Sequence, residues 1–127
     1  MNVNNQQNTT TTKHLNKNKH MKPNLNSDRI NGTSFYGQTI SATVEELRKV
    51  LGEPSAEQND GSDKVNFEWW MENDEGDPFT VYDWKEYRTI SEYEIIEWHI
   101  GAHNELKAIT SKLELQAQLV KIQVSDL

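Results

Sequence analysis

The chain of 127 residues carries 13 Lys and Arg against 20 Asp and Glu, a formal net charge of −7, and no cysteine. That length suits one domain, and the lack of cysteine excludes a disulfide framework and any thiolate metal site. No apolar run approaches the roughly 18 residues that span a bilayer, and the polar N-terminus has no signal-peptide apolar region, so the expectation is a soluble, cytoplasmic protein.

Composition divides the chain near Gly32. Residues 1–31 hold nine Asn, the run Thr9 to Thr12 and no aromatic residue. Such a segment has too little apolar surface to offset its ordering entropy, and it reads as a disordered tail. The tail contributes +4, through Lys13, Lys17, Lys19, Lys22 and Arg29 against Asp28, which leaves residues 32–127 at −11. Its five cations, mixed with Asn and Thr and without aromatics, make a poor nucleic-acid signature. Residues 32–127 read as a single α+β domain that holds all 11 aromatic residues.

Gly32 to Ile40 reads as a first strand. Thr43 then offers an N-cap, with Glu46 three residues on to complete a capping box. Val44, Leu47, Val50 and Leu51 form the apolar stripe of a helix that Gly52 ends at positive φ and Pro54 keeps from resuming. After the polar loop Gln58 to Asp63, Lys64 to Asn73 alternates as a half-buried strand. Val65, Phe67, Trp69 and Met71 lie on one face, with Glu68 and Trp70 on the other. Asp74 to Pro78 is turn sequence, and Phe79 to Lys85 is the hairpin partner. Tyr93 to Ile100 reads as the last strand. Glu105 to Lys121 reads as a closing helix with the stripe Leu106, Ile109, Leu113, Ala117 and Val120. The order β-α-β-β-β-α predicts an antiparallel sheet of about four strands with two helices on one face.

Chemistry is sparse in this pattern. Glu97, His99 and His103 come nearest to a metal set, with His14 and His20 in the tail, but Gly101 breaks any helix that would align the two later histidines, and no metal or cofactor is implied. The acids Glu72, Asp74, Glu75 and Asp77 fall in a solvated turn. Ser34, His99 and Asp83 name a conceivable triad whose geometry the sequence does not supply. Two aromatics on the open face of a sheet could stack a planar ring such as a nucleobase. Trp84 and Trp98 fall on neighbouring strands, with Lys85 and His99 as flanking donors. If the two tryptophans oppose each other, both are core and the open face carries Asp83, Glu97 and His99. Alternation puts Tyr82 and Trp84 on one face, and Trp84 meets His99 only if the strand register opposes them.

Several short stretches, in order, carry a resemblance. They are Gly32-Thr33-Ser34, Leu51-Gly52-Glu53-Pro54, Glu68-Trp69, Val81-Tyr82-Asp83-Trp84-Lys85 and Trp98-His99-Ile100-Gly101. The body is similar to a family of small, mostly uncharacterised proteins of tailed bacteriophages and large DNA viruses. It departs from that pattern at Ala102, at Trp70 and in the Asn-rich tail. The resemblance implies a viral or virus-derived accessory protein acting in the host cell and brings no activity with it. With the residues, it gives an expectation of a non-enzymatic module that binds a nucleotide-like molecule or a host protein to counter host defence. Trp84, Lys85, His99, Asp83 and Ser34 are its ligand-binding candidates. The alternatives are a small hydrolase of a nucleotide-like substrate, with His99 and Asp83 as acid and base, and an acidic decoy of a nucleic-acid-binding protein.

Overall fold

The computed structural model describes residues 21–125. In chain order the elements are β1 (Lys22–Pro23), α1 (Ser27–Ile30), β2 (Ser34–Ala42), α2 (Val44–Leu51), β3 (Ala56–Glu57), β4 (Phe67–Glu72), β5 (Pro78–Tyr82), β6 (Ile96–Ala102) and α3 (Glu105–Ser125). The architecture is α+β with an open antiparallel sheet in the order β1-β4-β5-β6-β2. Beyond β4 the sheet is finished by two two-residue strands, β1 against Met71 and Glu72 and β3 against Phe67 and Glu68. Six strands and three helices therefore replace the expected four and two, and the additions are two short edge pairings and the single turn of α1.

The boundary expected at Gly32 lies too late in the chain. Met21 and Ile30 are buried, and the Asn26 side chain caps α1 by accepting from the Asp28 N–H. Arg29 donates to the Gly76 carbonyl at 2.6 Å and pairs with Glu72. Composition missed this segment because two apolar anchors and one capping Asn suffice to dock it on a preformed edge. Residues 1–20, including His14 and His20, lie outside the described residues, as do residues 126–127.

The core follows from period-2 alternation. Phe67, Trp69 and Met71 are buried while Glu68, Trp70 and Glu72 are half-buried on the other face. Trp69 and Trp98 meet edge to face at 5.5 Å, a favoured aromatic geometry. Their indole N–H groups donate to the Gly52 and Ala42 carbonyls at 2.8 and 2.9 Å, so neither buried ring leaves an orphan donor. α2 begins with the full capping box between Thr43 and Glu46 and ends at Gly52 with φ +86°. Its Val44, Leu47 and Leu51 join the core.

The closing helix packs by a different stripe from the expected one. Ala108, Ser111, Leu115 and Leu119 are buried, whereas Leu106 and Leu113 are 72% and 64% exposed and Val120 is exposed too. α3 carries two apolar stripes on nearly opposite sides. The one with the small residues wins because Ala108 and Ser111 let the helix approach the sheet, where Asn73 Nδ2 donates to Ser111 Oγ at 3.1 Å. The strand expected from Tyr93 starts at Ile96, and Tyr93 and Ile95 are exposed in the preceding turn.

Candidate functional site

With both long helices and the large apolar residues on one side of the sheet, the other side stays open. Its residues are set by two registers. Glu68 lies opposite Tyr82, Tyr82 opposite His99, and His99 opposite Thr39, so one row crosses four strands. The next row runs Trp70, Thr80, Gly101 and Phe35. An irregularity in β2 between Phe35 and Thr39, with Gly37 at φ +85°, breaks the ladder there. The Phe35 ring stacks on the His99 imidazole, with centroids 4.0 Å apart and planes 18° apart.

Trp84 joins this platform from beyond the end of β5. Its ring lies 6.1 Å from His99 at an interplanar angle of 29° and meets Tyr82 edge-on at 6.1 Å. Lys64 and Lys85 place their ammonium groups 5.9 and 5.5 Å from its centroid, within cation–π range. Lys85 has φ +58° and Tyr87 φ +53°, left-handed conformations that cost a non-glycine residue free energy. The Lys85 N–H holds the bend by donating to the Lys64 carbonyl at 2.7 Å. Trp84 remains 40% exposed, whereas Trp98 is fully buried. The two tryptophans thus belong to opposite faces, and the Tyr82–His99 register is what lets Trp84 reach His99.

Beside the platform lies a hollow of about 230 Å³, enough for one planar ring system. Tyr82, Trp84 and Val65 supply its apolar walls, and Thr33, Ser34, Thr80 and Glu68 its polar ones. Gly101 lines it as well, and a Cβ there would stand 2.5 Å from Thr80 Oγ1, so the close passage of these two strands requires glycine. Burial lowers the His99 pKa from its ordinary 6.5, against an upward pull from Glu97, which keeps the imidazole neutral near pH 7. Burial also raises the Glu68 carboxyl, and burial with the Glu68 charge raises the Tyr82 phenol.

Of the residues singled out from sequence, Trp84, Lys85, His99 and Ser34 fall in or beside this hollow. Asp83 does not join them. It is completely buried, and its carboxylate accepts from the Asn66 and Phe67 backbone N–H groups, both at 2.8 Å, and from Asn66 Nδ2. Burial raises its pKa and these donors pull it back. Asp83 staples the start of β4 to the end of β5, and among the described residues it makes no hydrogen bond to His99 or Ser34. Nor do Glu97, His99 and His103 converge. His103 Nε2 donates to the Arg29 carbonyl, Glu97 accepts from Thr39, and no group of three or more His, Asp or Glu is placed to hold a metal among the described residues. Phe35, Tyr82 and Glu68 were missed as site residues. The alternation that put Tyr82 with Trp84 was a signal for Tyr82, and the open-face position of Glu68 one for Glu68.

No helix among the described residues is long and apolar enough to cross a membrane. Comparison with protein-family models, curated proteins and solved structures finds no match, so function is read from the geometry of this face.

Proposed function

We propose that the protein is a non-enzymatic binding module that holds a planar, nucleobase-like ring against the open face of its sheet. The observation that carries this reading is Trp84, 40% exposed beside a ring-sized hollow and backed by His99 and Tyr82. An exposed aromatic cluster is costly to leave in water and marks a surface with a partner. Stacking on such rings is worth about 1–3 kcal/mol per base. The strained backbone at Lys85 and Tyr87 supports the same reading, because a bend held against its own preference fixes Trp84 in place. The neutral His99 adds an uncharged, flat surface to the platform.

The hydrolase reading draws less support, since Asp83 has its carboxylate committed to Asn66 and Phe67. In keeping with the phage and viral resemblance, the ligand would be a nucleotide signal of host defence, withheld by binding. A thermal-shift screen against mononucleotides, cyclic nucleotides and ADP-ribose derivatives tests this. The expected result is a raised melting temperature with the nucleotide returned intact. Turnover of the nucleotide would favour the hydrolase, and no shift with any of them would contradict the reading.

A further inference from the structure

The hollow is lined by one charged side chain, Glu68. On the open face Glu72 is paired with Lys22 and Arg29, and Glu97 accepts from Thr39 at 2.7 Å. Glu68, half-buried beside Tyr82, has no ion pair among the described residues, and its one side-chain partner is the Trp70 indole, which pulls the carboxyl pKa down against burial. That indole N–H is buried and falls short of full hydrogen-bond geometry, and it satisfies at most one of the two carboxylate oxygens. A half-buried carboxylate oxygen left without a donor is free to accept one from a molecule taken up in the cavity.

A carboxylate only accepts hydrogen bonds, and its two oxygens match two parallel N–H donors on adjacent atoms. Among the common bases, guanine alone offers that pair, a ring N–H beside an exocyclic amine. Adenine and cytosine set a bare ring nitrogen beside the amine, and uracil flanks its single N–H with carbonyls. Each of those would turn a lone pair toward the carboxylate. Lys64 and Lys85 lie over Trp84, where a 5′-phosphate on a stacked nucleoside would meet them. The −11 charge of residues 32–127 opposes a longer polyanion.

We propose that Glu68 selects the ring held on the aromatic face, so that the site takes a guanine mononucleotide in preference to adenine or pyrimidine nucleotides. This rests on the ring-binding reading and goes one step past it. Ligand donors stabilise the ionised carboxylate, so affinity falls as pH drops through the Glu68 titration, which burial has moved upward.

Calorimetric titration with the 5′-monophosphates of guanosine, inosine and adenosine tests the proposal on the full chain. Guanosine monophosphate should bind about tenfold or more tightly than the other two, because inosine lacks the amine and adenosine the ring N–H. Glu68→Gln should erase that preference by weakening guanosine monophosphate and not adenosine monophosphate, in a protein that keeps its cooperative melt. Equal affinity for all three, or a preference that survives Glu68→Gln, would overturn the role of Glu68 and leave the ring-binding reading standing. No binding of any of the three by the folded protein would overturn both. If Glu68→Gln unfolds, Glu68→Asp, which keeps the charge but shortens its reach, should weaken guanosine monophosphate selectively, and a uniform loss would contradict the assignment.

Discussion

Two residues show how burial and partners separate structure from site. Asp83 and Glu68 are both carboxylates raised by burial, yet Asp83 is surrounded by N–H donors and Glu68 faces a hollow. Asp83→Asn turns an amide NH₂ toward those donors, and it should cost roughly 2–3 kcal/mol in urea unfolding. His99 has the opposite sign. Its folded pKa lies below its unfolded value near 6.5, so its contribution to stability is full above that pH and lost as pH falls toward the folded value. Titration of the imidazole by NMR should give a midpoint below 6.5, and His99→Gln should flatten the stability profile in that acidic window. At Gly101 the determinant is space. Gly101→Ala puts a methyl against Thr80 Oγ1 and should destabilise the fold by about 1–3 kcal/mol.

α3 is the element on which pattern and packing disagree. Leu115→Ala should cost about 2–5 kcal/mol by opening a core cavity, whereas Leu113→Ala, on the exposed stripe, should change stability by about 0.5 kcal/mol or less. Denaturant melts of the two variants read this directly. The sequence pointed to the other stripe because its side chains are larger, and periodicity weighs size without knowing which side the sheet is on. Where one face is polar the pattern is unambiguous, as in Phe67, Trp69 and Met71 against Glu68, Trp70 and Glu72. Capping chemistry is as local as it can be, and Thr43, Glu46 and Gly52 sit as their residue types require. The site was half legible. Alternation joined Tyr82 to Trp84, but the register of β6 against β5, which brings His99 to both, is a long-range property that no local pattern encodes. Phe35 depends in addition on the irregular stretch of β2.

At the scale of the whole molecule, the sheet divides labour between its faces. One buries Trp69, Trp98 and the helices, and the other leaves Trp84 and Phe35 in water. The N-terminal segment with β1 and α1 belongs to the folded unit. A chain starting at Gly32 should therefore melt lower than one starting at Met21, because it loses the burial of Met21 and Ile30 and the Arg29 ties to Glu72 and Gly76. The central claim is that the open face works by stacking. Calorimetric titration of wild type and Trp84→Ala with the nucleotide that gives the largest thermal shift tests it most directly. Because Trp84 is exposed and outside the core, the variant should keep its cooperative melt and bind about tenfold or more weakly. Unchanged affinity in a folded Trp84→Ala protein would contradict the account.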